Sequence, residues 1–273
     1  MSEPSVDQLL AEARACGIER LDAHLLLAHT LSRPRTWLAA HGDAVPNAAQ
    51  AAAFRAGVAR RGSGEPLAYL LGEWAFHGLT LSVGPQVLVP RPETELLVDW
   101  ALELLTRRSG PAAVLDLGTG SGAIALAVAR ACPTARVSAL DASPQALALA
   151  GANGERLGLA VEWLLSDWWS VIGTRRFDLL LSNPPYIAAG DAHLADLRHE
   201  PVQALSAGED GLADLRRVAE GAAEHLEPGG WLLMEHGFDQ AHAVQGLLAA
   251  AGLSEVQTRL DLAGHPRCTG GRR

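Results

Sequence analysis

The sequence predicts an α/β fold: a mostly parallel sheet covered on both faces, preceded by a small helical domain and a β-hairpin. Three observations carry that expectation. From residue 91 onward, short apolar runs alternate with helix-like stretches. The glycine run Asp116-Leu117-Gly118-Thr119-Gly120-Ser121-Gly122 falls between one such run and the helix after it. Residues 1–72 instead carry alanine- and leucine-rich helical stripes and no strand signal.

Taken in order, residues 6–15 and 21–31 read as helices, the second with Leu21, Leu25, Leu26 and Leu27 in a broad apolar stripe. Ser32 and Pro34 suit a helix start before Trp37 and Leu38, and residues 48–60 form another helix, closed by Gly62-Ser63-Gly64. This bundle, 1–72, reads as a packing or docking unit without a catalytic constellation. His24, His29 and His41 read as surface or partly buried residues. Residues 73–90 are expected to be a β-hairpin linker, with His77-Gly78 at its turn and Leu79 to Val83 alternating like a strand. Pro92, with Glu93 and Glu95 in the first turn, starts a helix running to about Arg107. Residues 91–273 form the third part. Strands are expected at 114–117, 137–140, 161–165, 177–181, 231–235 and 254–259. Helices are expected at 123–131, 144–157, 212–226 and 241–251. A turn at Glu227-Pro228-Gly229-Gly230 precedes one strand, and the chain closes with a tail.

The chain has 273 residues, 48% of them hydrophobic, so a substantial core is available. No run is long enough to span a membrane, and the Met1-Ser2-Glu3-Pro4 start lacks a signal pattern, so a cytoplasmic location is the default. Cys16, Cys132 and Cys268 are far apart and show no metal-ligand spacing, so they read as reduced and structural. The formal charge is −9, and the arginine pairs are scattered, which argues against a track for duplex DNA. All 22 basic residues are arginine; without lysine, Schiff-base chemistry is excluded.

The most informative residues are Asn183-Pro184-Pro185-Tyr186. Two prolines cannot continue a strand ladder, so the chain leaves the sheet there and displays Asn183 at a carboxyl strand end, where open α/β sheets bind ligands. The Asn183 side-chain oxygen and the Pro184 carbonyl can accept the two hydrogens of a planar NH2 group, and Tyr186 can cover its flat face. Upstream, Gly118, Gly120 and Ala123 fit a dinucleotide fingerprint, which does not by itself separate NAD from another nucleoside cofactor. Asp141 ends the next strand, where a carboxylate can accept both ribose hydroxyls. Asp167, ahead of Trp168 and Trp169, suits an adenine edge with a flat apolar surface beside it. Asp116, Asp141 and Asp167 together favour S-adenosylmethionine.

The chain resembles the PrmC/HemK family of protein-(glutamine-N5) methyltransferases, which modify peptide-chain release factors. The resemblance covers nearly the whole chain. It rests on Gly64-Glu65-Pro66 to Gly72, Pro90-Arg91-Pro92-Glu93-Thr94-Glu95, the glycine run, Asn183 to Ile187, and Glu209-Asp210-Gly211-Leu212. It implies a Rossmann-like S-adenosylmethionine-dependent methyltransferase domain and methylation of the glutamine in a Gly-Gly-Gln loop. It places Gly118 to Gly122 against the methionine part of the donor, Asp141 on the ribose, and Asp167 with Trp168 on the adenine. Asn183, Pro184, Pro185 and Tyr186 would hold the substrate amide, Asn183 and Pro184 as the catalytic pair, with Asn183 also counted among the donor-binding residues. Ala75 departs from the polar residue expected in many relatives. Arg91 and Glu93 read equally as site residues or as a helix cap and its charge partner. His199, His236 and His265 read as surface or structural residues. No metal is expected, and the protein is expected to act as a monomer. The residues leave open a glutamine methyltransferase of a ribosomal protein, a DNA adenine N6-methyltransferase, an NAD-dependent oxidoreductase, and a non-catalytic docking protein.

Overall fold

The computed structural model describes residues 3–108 and 110–273. It divides into two compact units, Met1–Glu73 and Trp74–Arg273. In the first, α1 (Val6–Ala15), α2 (Arg20–Leu31), α3 (Arg35–Ala40), α4 (Ala48–Gly62) and α5 (Leu67–Leu71) bury Val6, Leu9, Leu27, Leu38 and Phe54. α1 and α4 have capped starts. Ser5 with Gln8 and Asn47 with Gln50 each form a reciprocal capping box, which satisfies otherwise orphaned backbone N–H groups. Ion pairs Arg55–Glu12 and Arg61–Asp22, both at 2.7 Å, link α4 to α1 and α2.

The second unit begins at Trp74, one residue into the hairpin of β1 (Glu73–Phe76) and β2 (Leu79–Ser82), which turns at His77-Gly78. After a short 3-10 turn at Pro92–Thr94 comes α6 (Glu95–Thr106). The chain then alternates: β3 (Ala113–Leu117), α7 (Ala123–Ala131), β4 (Arg136–Asp141), α8 (Pro144–Leu157), β5 (Glu162–Leu165), β6 (Phe177–Ser182), α9 (Ala213–His225), β7 (Leu226–Glu235), α10 (Ala241–Ala250), β8 (Ser254–Leu260) and β9 (Pro266–Arg272). The seven strands lie in the order β5-β4-β3-β6-β7-β9-β8. The first five are parallel, and β9 is antiparallel to both β7 and β8.

Burial on both faces explains why the central strands read as continuous apolar runs. Side chains alternate across the sheet with a period of two. Val114, Leu179, Leu181 and Leu233 join α6 and α7 in one core cluster. Leu115, Leu117, Leu180, Leu232 and Met234 join α9 and α10 in the other.

Two expectations need correcting. The segment Glu227-Pro228-Gly229-Gly230 is no turn before a strand. It lies inside β7 as an irregularity: Phe177 pairs with Leu226, but Leu179 pairs with Trp231, so extra residues bulge from one strand. The expected tail is β9, the strand between β7 and β8. Its glycines hide the signal, since they have low strand propensity. Yet Gly270 is required by its setting, because a Cβ there would lie 2.5 Å from Leu233 Cδ2 and 2.8 Å from the Trp100 ring.

Candidate functional site

In the sheet, β4 and β5 lie to one side of β3 and β6 and β7 to the other, so chain direction across the sheet reverses at β3. Such a switch point leaves a crevice at the carboxyl ends of the strands. There the structure has a cavity of about 440 Å³. Its lining includes Gly118, Thr119, Gly120 and Ser121 after β3, Asp141 at the end of β4, Asp167 and Trp168 after β5, and Asn183 and Pro185 after β6. Thus nine of the twelve residues expected from sequence line one space. The other three, Gly122, Pro184 and Tyr186, are not among the lining residues but neighbour ones that are.

The glycine loop is held from below. Asp116 is fully buried and accepts from the Thr119 hydroxyl at 2.6 Å and from the Ala125 N–H at 3.2 Å. Burial pushes its carboxyl up to about 7, against those two hydrogen bonds, and its Oδ1 has no partner among the described residues. Gly122 serves as the start of α7, packed near Leu126, Ala150 and Trp163. A buried Asn153 on α8 ties the loop to the hairpin. Its Nδ2 donates to the carbonyls of Ser121 and Ser82, both at 3.0 Å, while its Oδ1 accepts from the Ser82 N–H at 2.8 Å.

At the end of β4, Asp141 accepts from the Gly120 N–H and the Ser143 N–H, each at 2.9 Å, one on each oxygen. Burial pushes its carboxyl up, and the backbone N–H groups of Ser143, Gly120 and Ala142 oppose that shift. A carboxylate has about four acceptor sites, so capacity remains for a ligand hydroxyl. Trp168 has a left-handed backbone, φ 47°, unusual for a bulky residue. Its indole Nε1 donates to Asp214 at 3.1 Å, and its ring lies 3.6 Å from where a side chain on Gly118 would begin. Asp167 pairs with Arg217 at 2.9 Å. Asp214 and Arg217, one turn apart on α9, therefore set the far wall. Sequence reading missed both, because nothing local marks a helix residue that meets a loop 46 or 50 positions away.

Asn183 follows β6 where the two prolines end the ladder. Its side-chain Nδ2 donates to the Thr94 hydroxyl at 3.1 Å. That leaves the side-chain oxygen as the polar atom without a protein partner in the described hydrogen bonds. Pro184 is buried and Tyr186 half-buried. The Tyr186 hydroxyl donates to Glu235 at 3.3 Å, so its ring is anchored toward the end of β7. The carbonyl of Tyr186 accepts from Gln240 Nε2 at 2.9 Å, and the same amide reaches the Gly211 carbonyl at 3.3 Å. Gly211, φ 71°, passes so close that a Cβ would lie 2.4 Å from the Tyr186 carbonyl oxygen.

Arg91 is neither a cap nor the partner of Glu93. No side-chain cap bond forms at the 3-10 turn, and Arg91 pairs at 2.5 Å with the buried Glu200, which also accepts from the Val89 N–H at 3.1 Å. His236 is buried, with Nε2 2.7 Å from the Thr269 hydroxyl, and the His265 ring lies tilted against Phe238; neither lines the cavity. Among the described residues, no cluster of His, Cys, Asp and Glu could hold a metal ion, and no helix is long and apolar enough to cross a membrane.

Comparison with known proteins adds to this geometry. Residues 6–72 match the PrmC N-terminal domain, and residues 94–244 match the methyltransferase small domain. The chain is 53% identical over 258 residues to the release factor glutamine methyltransferase of Bordetella pertussis, covering 93% of this chain and 95% of that one. It is 46% identical over 280 residues to the enzyme of that description in Burkholderia pseudomallei, covering 99% and 98%. The fold is also that of the solved 16S rRNA N2 G1207 methyltransferase of T. Thermophilus, in complex with AdoMet and guanosine. That likeness has a TM-score of 0.55 at 22% identity over 74% of this chain and 49% of the other, and it concerns fold alone.

Proposed function

This chain belongs to the release factor glutamine methyltransferases, and on that premise we propose that it methylates the side-chain amide nitrogen of the glutamine in the Gly-Gly-Gln loop of peptide-chain release factors, with S-adenosylmethionine as donor. The observation that carries the reading is Asn183, displayed at the end of β6 with its NH2 committed to Thr94 and its oxygen left to accept. A glutamine amide offers two N–H donors, and Asn183 Oδ1 with the Pro184 carbonyl supplies two acceptors.

The residues present fit the donor. The cavity is of the size nucleoside ligands use. Gly118, Thr119, Gly120 and Ser121 would meet the methionine part, with Gly122 shaping the turn. Asp141 would hold the ribose through its remaining acceptor capacity. Trp168 would cover the adenine, with Asp167 at its edge. When bound, S-adenosylmethionine supplies an electrophilic methyl on a sulfonium: the carbon–sulfur bond breaks as the carbon–nitrogen bond forms.

An amide nitrogen is a weak nucleophile because its lone pair is shared with the carbonyl. The two acceptors hold both N–H bonds, fix the nitrogen and favour the charge it gains as it is alkylated. The methylated amide is strongly acidic and gives its extra proton to water, so no buried base is required. Positioning is the main contribution of the chain, for which about 7–11 kcal/mol is available in well-oriented systems. Pro185 would close over the amide and limit water, with Tyr186, anchored through Glu235, supporting that segment from outside the cavity lining. Release factors act in translation, in the cytoplasm, which is where the enzyme is proposed to work.

Mass spectrometry of purified release factor, incubated with this protein and S-adenosylmethionine, tests the reading. One added methyl on the Gly-Gly-Gln glutamine, absent with Asn183→Ala, is the expected result. Donor binding without that methyl would move the search to ribosomal-protein and DNA substrates.

A further inference from the structure

Two segments far apart in sequence line the same cavity: Leu88, Pro90 and Arg91 ahead of α6, and Pro201, Gln203 and Ala204 ahead of α9. Neither belongs to a strand of the sheet, so no ladder holds them together. Glu200 joins them. Its side chain is only 2% exposed, and both its oxygens are engaged. Oε1 accepts from Arg91 Nη2 at 2.5 Å, and Oε2 accepts from the Val89 N–H at 3.1 Å, across 109 and 111 positions of sequence. One carboxylate thus binds both the side chain and the backbone of the facing segment. Glu200 itself is outside the cavity lining, whereas Arg91 is part of it.

Charge gives this clip a second consequence. Among the described residues, the lining contains two cations, Arg91 and Arg217. Each is met by a carboxylate: Arg217 by Asp167 at 2.9 Å, Arg91 by Glu200. Asp141 and Asp214 also line the cavity, so negative charge predominates there. That balance suits a cationic ligand, because a cavity poor in water strengthens the effect of any unmatched charge. An Arg91 deprived of its carboxylate would oppose a cation in the same space.

We infer that Glu200 is a positioning residue of the cavity: its carboxylate clips the Val89–Arg91 segment to the one that begins at Pro201, and it cancels the Arg91 charge in a space that admits a sulfonium. The clip rests on geometry alone, and the role of the charge rests on the S-adenosylmethionine reading.

Two ligands separate shape from charge. S-adenosylhomocysteine is the donor less its methyl group, and it lacks the positive charge on sulfur. Calorimetry on the full chain gives the affinity of each. Glu200→Gln keeps shape and removes the charge; Arg91→Met removes the guanidinium. In Glu200→Gln, binding of S-adenosylmethionine is expected to weaken about fivefold or more relative to S-adenosylhomocysteine, the scale of one unmatched charge across a small cavity. The double variant Arg91→Met, Glu200→Gln should return the ratio to within about twofold of wild type, since the unmatched cation is gone. A wall that had merely loosened would weaken both ligands alike in Glu200→Gln, and an unmoved ratio there would overturn the role of the charge. Arg91→Met alone should favour S-adenosylmethionine at least as much as wild type does, and a fall in the ratio would overturn that role even if Glu200→Gln were too unstable to titrate.

The clip is read without any ligand. Urea unfolding of the two single variants and the double should be non-additive, the double losing less than the sum, because each single variant leaves a partner uncompensated. A double variant that folds where Glu200→Gln does not is the same result in stronger form. Additive losses would overturn the clip. A wild type that binds neither ligand overturns the donor reading and with it the role of the charge, and the unfolding cycle still decides the clip.

Discussion

Asn153 Nδ2 donates to the carbonyl of Ser121 at 3.0 Å, so a buried amide on α8 holds the last turn of the glycine loop. The same side chain clamps both backbone groups of Ser82 at the end of the hairpin. Replacing it with alanine strands three backbone groups, the Ser121 carbonyl buried and the two Ser82 groups part-buried. Asn153→Ala is expected to destabilise the protein by about 3 kcal/mol, since each unmet buried polar group costs about 1–3 kcal/mol and relaxation recovers some of it. Urea unfolding checks the stability. Calorimetry should show weaker binding of S-adenosylmethionine, because the loop proposed to meet it has lost its tether.

Trp168 is held in a left-handed backbone conformation that a tryptophan adopts only under constraint, and Asp214 fixes its indole. Strain retained at a cavity wall suggests a surface aimed at a ligand. Trp168→Ala is expected to weaken donor binding on the order of tenfold, the scale of one lost base-stacking surface. Asn183→Ala should leave the same affinity nearly intact while turnover collapses. If both variants lost donor affinity equally, the assignment of Trp168 to the donor and Asn183 to the amide would fail.

The contrast between these residues shows what a sequence can display. Asp141 was legible because a strand end followed by Ser143 and Pro144, a helix start, puts its carboxylate at the rim. Asn183 was legible because Pro184 and Pro185 cannot pair in a sheet. The helices 144–157 and 123–131 were legible to the residue, since apolar spacing and caps are local. Thr94 was not, because its task depends on a contact 89 positions away. Glu235 looked like the polar end of an apolar strand, and its burial comes from β9, whose glycines gave no strand signal. Arg91 invited a local partner in Glu93, but the buried Glu200 lies 109 positions off. Backbone pattern is written in neighbouring residues; side-chain polarity deep in a site is written in the fold.

Burial of carboxyls makes stability depend on pH in a direction that can be worked out. Burial pushes Glu235 from 4.5 up to about 7, and Asp116 from 3.8 up to about 7. In this window the folded state holds protons that the unfolded state has released, so these groups favour folding less as pH rises. Their penalty is absent below about 4, grows between about 4.5 and 7, and is complete above about 7. His236 works the other way: burial lowers its pKa, so the folded state gains relative to the unfolded as pH rises through 6.5. A difference between variants isolates Glu235. Glu235→Gln is expected to be more stable relative to wild type at pH 8 than at pH 5, measured by urea midpoints at both. A difference that stays constant with pH would show that Glu235 does not titrate in the folded state as its burial requires.

Gly211 offers the sharpest test of the substrate loop. It belongs to Glu209-Asp210-Gly211-Leu212, whose acidic residues are exposed and look dispensable. The glycine is not. Its φ of 71° lies in the left-handed region, and a Cβ would stand 2.4 Å from the Tyr186 carbonyl oxygen and 3.1 Å from the Ala188 nitrogen. Neither atom can retreat freely: the Tyr186 carbonyl is held by Gln240, and the Ile187 backbone is bridged to Leu205 and Ala207. Gly211→Ala must therefore push the segment after Pro185 off its seat. The glycine loop, on other strands, has no reason to follow. Turnover is expected to fall at least about tenfold, with S-adenosylmethionine affinity within about twofold of wild type and a stability loss of about 1–3 kcal/mol. Full activity in Gly211→Ala would mean that the Asn183-to-Tyr186 segment tolerates displacement, and that its placement by Gly211 and Gln240 is not what the reaction needs.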